Sequence, residues 1–487
     1  MPEGFETVIG LEVHCELSTA TKLFCSCANA FGDEPNSNVC PVCLGLPGSL
    51  PVLNRRAVEF AIRIGQALGG DIRPSIFHRK NYFYPDMPKD YQISQYDQPI
   101  SSGGRLALPD GSVVGIVRAH MEEDTGKSTH IGESGRIHGA SHSLVDYNRA
   151  GVPLVEIVSE PDIRSAEQAR LYVSELRAVL VATGASDGRM EEGSLRVDAN
   201  VSIRPTGTTD LGTRCEVKNL NSLRSLVRAI SYEAERQSAL IAGGGTVSQQ
   251  TRHWDEGGGV TQLLRSKEEA YDYRYFPEPD LVPLVPDDSL LSAAAAGVGK
   301  MPSERRQSLA ELLGVPGEAL AAGPVADQAQ TVIELDLDGL VIGAVACGAD
   351  AHLALARAAN EGASKAEGAR RLDAGTFAGL IKLESGGILS ATQSKAVLSV
   401  LIDEGGEPAE IARRLGFEAM GQSDLDELVD SVIAANPDEW RRYQEGDDKI
   451  SGFLLGLVMR QSSGKANGKL VKDTFDLRRH AGTASQG

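Results

Sequence analysis

Four segments of the sequence alternate between apolar and polar residues with the period of two that is typical of a half-buried β-strand. In the first segment, FETVIGLEVHCEL at 5–17, the odd-numbered positions are mostly apolar, and the even-numbered face carries Glu12 and His14. The other three segments are VVGIVRAHMEED at 113–124, SLRVDANVSIR at 194–204 and TRCEVKN at 213–219. Strands of this kind bury only one face, so the pattern predicts a mixed or antiparallel sheet with a core on one side.

The polar faces of these strands combine carboxylates with His, Arg, Lys and Asn. For any single strand, a solvated face is an equally good interpretation. Four such faces together favour a cradle for a polyanion and its metal. Carboxylates and a histidine suit Mg²⁺, and arginine and lysine suit phosphates.

Four of the seven cysteines lie within residues 25–43, as a C-x-C pair and a C-x-x-C pair. Two close pairs on short turns are the usual way to present four thiolates to zinc. The spacing therefore predicts a structural zinc site formed by Cys25, Cys27, Cys40 and Cys43. Four free thiols are the plain alternative, and a redox pair of Cys40 and Cys43 is weaker because the βαβ context of such pairs is missing.

Charge and hydropathy exclude several classes of protein. The net charge of −19 gives no global attraction to nucleic acid, so any such contact must come from local basic patches. No stretch approaches the roughly 20 apolar residues of a membrane helix. The first residues, MPEGFETVIG, lack the basic start and apolar run of a signal peptide. We therefore expect a cytoplasmic protein with reduced thiols and no membrane contact.

Known nucleotide and hydrolase motifs are missing. Gly126-Lys127-Ser128 has the end of a P-loop, but Met121 stands where the first glycine should be. The segment also lacks the strand and helix that flank a P-loop. No G-x-G-x-x-G opens a helix and no G-x-S-x-G elbow occurs, so any nucleotide site must be of another kind.

The order of predicted elements indicates an α+β fold. Two helices, one capped at Ser165 and one over 221–243, alternate with the strands up to about residue 290. Beyond residue 294 the sequence is rich in Ala and Leu and predicts helices. We expect an N-terminal catalytic domain at 1–293 that includes the zinc loop, a helical domain at 294–407 and a small helical tail domain at 408–487.

The end of the chain is locally basic. A solvated helix face is the usual interpretation of such a stretch. Against the acidic background of the whole chain, it is also a candidate footprint for RNA. The candidate tRNA-binding residues are Lys465, Lys469, Lys472, Arg478 and Arg479.

Several long segments resemble the B-subunit family of the bacterial aspartyl/glutamyl-tRNA amidotransferases, and the resemblance covers essentially the whole chain. They are GLEVHCEL, RKNYFYPD, PKDYQISQYDQPI, MEEDTGKS, LVDYNRAGVPLVEIVSEPDIRS, MEEGSLRVDANVSIRP, EVKNLNSLR, DYRYFPEPD and, in the tail, FLLGLVMRQSSGKANGKLV. The resemblance implies a catalytic domain similar to glutamine synthetase, acting with an amidase A subunit and a small C subunit. It implies that ATP phosphorylates the side-chain carboxylate of mischarged Glu-tRNA(Gln) or Asp-tRNA(Asn), and that ammonia from the A subunit then displaces phosphate. Both tRNAs would use the same protein.

The resemblance also assigns roles by position. The residues implied to bind Mg²⁺ and to be catalytic are Glu12, His14, Glu122 and Glu123. Those implied for nucleotide or substrate are Asp198, Asn200, Glu216 and Lys218. Arg79, Lys80 and Tyr82 are expected to hold phosphate or the acceptor end, although a turn packed by aromatic rings is an equal alternative. The competing hypothesis for the whole protein is a non-catalytic tRNA-binding or assembly subunit.

Overall fold

The computed structural model describes residues 4–132, 140–266, 273–316, 320, 323–417, 422–447, 449–462, 466 and 468–483. The chain divides into two compact units, Met1–Glu304 and Arg305–Gly487. The first unit contains the strands, and the second is helical, which confirms the predicted α+β order. The domain limits expected at 293 and 407 stay predictions.

The strands all lie in the first unit. They are β1 (Phe5–Glu16), β2 (Asp71–Ile72), β3 (Phe77–Asn81), β4 (Tyr91–Gln95), β5 (Ser101–Ser102), β6 (Arg105–Ala107), β7 (Val113–Glu123), β8 (Lys127–Ile131), β9 (His142–Asp146), β10 (Pro153–Ser159), β11 (Leu195–Pro205), β12 (Cys215–Leu220), β13 (Gln250–Asp255), β14 (Val260–Ser266) and β15 (Phe276–Pro277).

Helices of the first unit begin with α1 (Arg55–Ala67), α2 (Ala166–Ala182), α3 (Leu223–Ala242) and α4 (Asp288–Ala296), and α5 (Pro302–Leu313) continues into the second unit. The later helices are α6 (Pro324–Glu334), α7 (Asp338–Ala346), α8 (Ala351–Arg357), α9 (Ala366–Ala369), α10 (Ala374–Ser385), α11 (Ala391–Glu404), α12 (Pro408–Arg414), α13 (Gln422–Ala435), α14 (Pro437–Gln444), α15 (Ile450–Gln461) and α16 (Gly468–Thr483). A π-helical turn at Ala358–Gly362 and a 3₁₀ turn at Ala363–Lys365 join α8 to α9. None of the described helices combines the length and the apolar composition that a membrane crossing needs.

The two helices expected from the sequence around 165 and 221 both form. Ser165 caps α2 by accepting a hydrogen bond from the backbone N–H of Gln168. The cap of α3 is Ser222, one residue later than expected, because its hydroxyl accepts from the N–H of Ser225.

Within the described residues, thirteen strands form one mixed sheet. Its main path runs β14-β13-β12-β11-β1-β10-β7-β4-β3-β15, and β8 pairs separately with β9. The four central strands β11, β1, β10 and β7 are antiparallel to their neighbours, whereas β12 and β13 pair in parallel. The predicted first strand therefore lies in the middle of the sheet, with a partner on each side.

The core covers one face of this sheet. The odd-numbered residues Leu11, Val13 and Cys15 of β1 are fully buried in a cluster with residues of α1, α2 and α3. Each large apolar side chain buried in this way contributes about 1.5–3 kcal/mol. Because the helices pack against the apolar face, the even-numbered residues of β1 lie on the opposite face of the sheet.

In the second unit, α13 to α16 share their own apolar cluster, which contains Leu425, Val429, Leu454 and Phe475. Helix α12 packs instead against α10 and α11.

Candidate active site

The polar face of the central sheet brings charged residues from neighbouring strands into line. Glu12 of β1 lies opposite Asp198 of β11, and His14 lies between Arg196 of β11 and Glu156 of β10. Glu156 in turn lies opposite His120 of β7. The register thus creates a band of ionisable side chains across four strands, as the alternation in the sequence predicted.

One group in this band consists of His14, Glu122 and Glu156, whose ligand atoms lie within 4.8 Å of one another. We call these three residues the histidine–glutamate group. His14 Nε2 is 3.4 Å from Glu156 Oε2 and 3.7 Å from Glu122 Oε1. His120, beside the group, places its Nε2 3.5 Å from the same Glu156 oxygen.

The charges in this group control each other. Burial opposes protonation of His14, but the hydrogen bond and charge of Glu156, together with the charge of Glu122, raise its pKa to about 9. Burial likewise opposes ionisation of Glu156, yet His120, His14 and the nearby Lys80 hold its pKa well below the usual range. Glu156 is therefore an ionised carboxylate at the centre of the group.

A second group, the carboxylate trio, consists of Glu12, Asp198 and Glu216, again with ligand atoms within 4.8 Å of one another. Lys218 Nζ lies 2.6 Å from Asp198 Oδ2 and 2.8 Å from Glu216 Oε1. Asn200 Nδ2 donates to Glu12 Oε1 at 2.9 Å. Burial and the charge of Glu156 raise the pKa of Glu12.

Both groups have the chemistry of a divalent cation site. Three carboxylates with a single lysine as counter-charge leave net negative charge, and oxygen ligands are those that Mg²⁺ prefers. The raised pKa of Glu12 shows that its ionised form lacks compensation, which a bound cation would supply.

A cavity of about 450 Å³, the larger cavity, opens beside the histidine–glutamate group. Six of the residues singled out from the sequence line it: His14, Lys80, Tyr82, Glu122, Asp198 and Lys218. The remainder of its wall includes Arg196 and Tyr273.

A smaller cavity of about 320 Å³ lies at the other end of β1. Its lining includes Gly10, Glu12, Arg118, Asn200 and Arg214. A Cβ on Gly10 would approach no atom closer than 3.8 Å, so the glycine leaves room on the face of the strand. Arg118 Nε is buried and has no hydrogen-bond partner among the described residues.

Two predicted residues lie away from both groups. Glu123 follows Glu122 in β7 and so points to the other side of the sheet. Its carboxylate pairs with Lys89 and accepts from the backbone N–H of Ile93 at 2.8 Å. Arg79 makes a two-pronged ion pair with buried Glu278, at 2.7 and 2.9 Å. In the structure Arg79 anchors the segment after Tyr273 to β3.

Glu156 is the functional candidate that the sequence analysis missed. It is the only charged residue in the apolar strand PLVEIVS at 153–159. A carboxylate in a strand buried on both sides needs a partner, and that was the available signal.

The four cysteines Cys25, Cys27, Cys40 and Cys43 come together as predicted. Cys43 Sγ lies 3.6, 3.8 and 3.7 Å from the sulfurs of Cys25, Cys27 and Cys40, respectively. A tetrahedron with zinc–sulfur bonds of about 2.3 Å has edges of about 3.8 Å. These distances exceed an S–S bond, and the thiols are free. The cluster thus has the spacing of a tetrahedral metal site.

Lys22 lies beneath this cluster and is fully buried. Its ammonium donates to the backbone oxygens of Asn38, at 2.8 Å, and Tyr147, at 3.2 Å, and is 3.5 Å from Cys43 Sγ. The hydrogen bond from Cys25, the backbone N–H of Cys40 and the charge of Lys22 lower the pKa of Cys43 to about 4. Cys43 is therefore held as a thiolate.

The predicted tRNA-binding residues of the tail belong to the second unit. Arg478 pairs with Asp430 at 2.8 Å, and the Arg479 guanidinium lies 4.8 Å from the centre of the Tyr443 ring. Lys472 is exposed. Lys465 and the side chain of Lys469 lie outside the described residues.

Comparison with known proteins matches the sequence features to one family. Residues 7–292 match the GatB/GatE catalytic domain, and residues 354–477 match the GatB domain. The B subunit of the aspartyl/glutamyl-tRNA(Asn/Gln) amidotransferase of Moorella thermoacetica is 47% identical over 96% of this chain and 98% of its own. Proteins of the same name from a Mycobacterium species and from Mycobacterium tuberculosis are 47% and 46% identical, over 96% of this chain and 95% and 94% of theirs.

The matched catalytic domain contains both cation-binding groups, both cavities and the cysteine cluster. Over its length, and over the tail as well, the chain belongs to the GatB/GatE family.

Proposed function

We propose that this chain is the B subunit of a tRNA-dependent amidotransferase and carries its kinase and amidation site. ATP transfers its γ-phosphoryl group to the side-chain carboxylate of Glu-tRNA(Gln) or Asp-tRNA(Asn), and ammonia then displaces phosphate to leave the amide. The observation that carries this proposal is the pairing of two cation-binding groups with two cavities on one sheet face.

The two groups fit Mg²⁺, which when bound neutralises the phosphate oxygens and the developing charge of phosphoryl transfer. The carboxylate trio and the histidine–glutamate group would hold one cation each. Little covalent work remains for the protein, because phosphoryl transfer depends mainly on positioning and charge.

The smaller cavity suits the nucleotide phosphates. Arg118 and Arg214 supply two guanidinium groups, which bind phosphate through paired hydrogen bonds. The unpartnered Arg118 Nε is available as a donor, and the bare backbone at Gly10 lets a ligand approach the strand.

The larger cavity suits the aminoacyl group. Lys80 lies close enough to Glu122 and Glu156 for their charges to raise its pKa although burial opposes this, so it stays cationic and can hold an incoming carboxylate. The carboxylate and the γ-phosphate would then meet between the two groups. The shared position of Glu12 and His14 on β1 connects them.

The remaining parts of the proposal concern assembly. The cysteine cluster would hold structural zinc, and the relatives' name implies an amidase subunit that supplies ammonia and a small C subunit. The exposed Lys472 and the neighbouring tail residues would contact the body of the tRNA.

The substitution Glu12→Gln tests this function in the reconstituted assembly. It removes one charge from the carboxylate trio while keeping the shape of the side chain. We expect tRNA-dependent ATP cleavage to be abolished and glutaminase activity to persist, because glutamine hydrolysis belongs to the partner subunit. Full ATP cleavage in Glu12→Gln would instead support a non-catalytic binding or assembly role. Equal loss of both activities would indicate an assembly defect.

A further inference from the structure

Aromatic side chains are concentrated at one edge of the larger cavity. Among the described residues, the exposed Phe and Tyr side chains are Phe31, Phe83, Tyr96, Phe276 and Phe453. Three of these five, Phe83, Tyr96 and Phe276, follow or lie in β3, β4 and β15, which adjoin one another at the end of the sheet. They are 72%, 53% and 44% exposed. We call these three residues the aromatic rim.

The rim is connected to the cavity by a series of ring contacts. Tyr273 lines the cavity, and its ring centre is 6.2 Å from that of Tyr275. Tyr275 stacks on Tyr96 with ring centres 4.1 Å apart and planes at 9°. Tyr82, which also lines the cavity, stacks on Tyr84 at 5.7 Å. The rings thus extend from the cavity wall to the solvent.

The structure holds these rings in place by polar contacts. Asn81 bonds to the backbone oxygens of Tyr273 and Arg274, at 3.1 and 2.8 Å. The Arg79 guanidinium lies 4.3 Å from the centre of the Tyr91 ring and 5.9 Å from that of Phe276, while pairing with Glu278. A rigid support for exposed apolar rings has no evident purpose in folding, since exposed rings contribute little to the core.

A tRNA substrate would bring flat rings to the same place. The aminoacyl group is attached to the terminal nucleotide, so if it enters the larger cavity the last unpaired bases must lie at its edge. Single-stranded RNA is commonly bound by stacking its bases on aromatic side chains, which requires no positive charge. This suits an edge of an acidic protein.

We infer that the aromatic rim is a stacking platform for the unpaired 3′ end of the aminoacyl-tRNA, an inference that rests on the proposed function for the identity of the RNA. Phe83, Tyr96 and Phe276 present faces to the bases, and Tyr273 and Tyr275 continue the surface into the cavity. The platform would position the aminoacyl ester relative to Lys80 and the histidine–glutamate group.

The test uses the full assembly and a tRNA in which 2-aminopurine replaces the terminal adenine. Stacking lowers the fluorescence of this base, and the anisotropy of a second dye on the tRNA body reports binding. We expect the fluorescence to fall on binding to the wild-type protein. The variants Tyr96→Leu and Phe83→Leu should retain much of the signal, and their KM for aminoacyl-tRNA should rise about fivefold or more. Tyr96→Phe keeps the ring and should behave as wild type. Phe31→Leu changes an equally exposed ring far along the chain in the cysteine loop and is the matched control.

The outcomes separate this inference from the proposed function. Quenching that is absent in the wild type, or unchanged in both leucine variants, overturns the platform even if ATP cleavage is normal. Glu12→Gln should still quench the probe, because it removes no ring. If the wild type quenches in a rim-dependent way but never cleaves ATP, the platform stands and the kinase function fails.

Discussion

The buried Lys22 offers the sharpest test of how the cysteine cluster is integrated into the catalytic domain. The substitution Lys22→Met keeps most of the methylene chain and removes the ammonium. The backbone oxygens of Asn38 and Tyr147 then lose their donor, and the Cys43 thiolate loses its nearby positive charge.

The size of the effect follows from these contacts. A buried polar group left without a partner costs about 1–3 kcal/mol. Two unpaired carbonyl oxygens together with an uncompensated thiolate bring the total to about 3–5 kcal/mol, the range for breaking a buried ion pair. At about 3 kcal/mol, local opening of the loop becomes on the order of 100-fold more frequent.

Hydrogen exchange measures this opening where it occurs. The chain has two compact units, so a single unfolding transition would not isolate the loop. The reporter amides are Asn36, Asn38 and Tyr147, whose N–H groups bond between the cysteine loop and the 145–148 segment. Their exchange, and zinc release to a chromogenic chelator, should both accelerate in Lys22→Met. The exposed Lys127→Met is the matched control. Exchange that rises less than about threefold, with zinc release unchanged, would refute the role assigned to Lys22.

Three further predictions concern the sheet and the tail. Binding of Mg²⁺ near pH 7.5 should release close to one proton from His14, because its pKa of about 9 in the free protein keeps it protonated and a cation needs the neutral ring; affinity should rise with pH up to about 9, and calorimetric heats that are independent of buffer ionisation would contradict this. Glu156→Gln should reduce tRNA-dependent ATP cleavage about 100-fold or more with the fold retained, whereas Glu160→Gln, at an exposed position just beyond β10, should have little effect; equal activities would remove Glu156 from the site. Ending the chain after residue 417 should raise the KM for aminoacyl-tRNA and flatten its salt dependence, while leaving ATP binding intact, because phosphate contacts are lost; an unchanged KM and salt slope would leave the tail as ordinary solvated surface.

The period-two alternation was sufficient to predict the polar face, because it depends only on local geometry. It placed Glu12 and His14 together and put Arg118, His120 and Glu122 on one face. It could not show that Glu12 and His14 would fall into different groups. That division depends on which strands flank β1, and both neighbours come from more than 140 residues away.

Long-range partners account for the other differences. Arg79 has the composition of a phosphate ligand, but its carboxylate partner Glu278 lies 199 residues further along the chain. The period of two does separate Glu122 from Glu123, and only the family resemblance joined them. The cysteine cluster was predictable because its ligands are close in sequence and their spacing alone restricts the geometry.

The central position of β1 has a consequence for biosynthesis. Phe5 pairs with Pro205, so the first strand leaves the ribosome about 200 residues before its partner. At about 5–20 residues per second, the nascent chain must carry an unpaired strand, apolar on one side, for roughly 10–40 s. During that interval both edges of the strand are open to pairing with other chains. Chaperone demand should therefore be greatest early in translation, before the residues of β10 and β11 emerge.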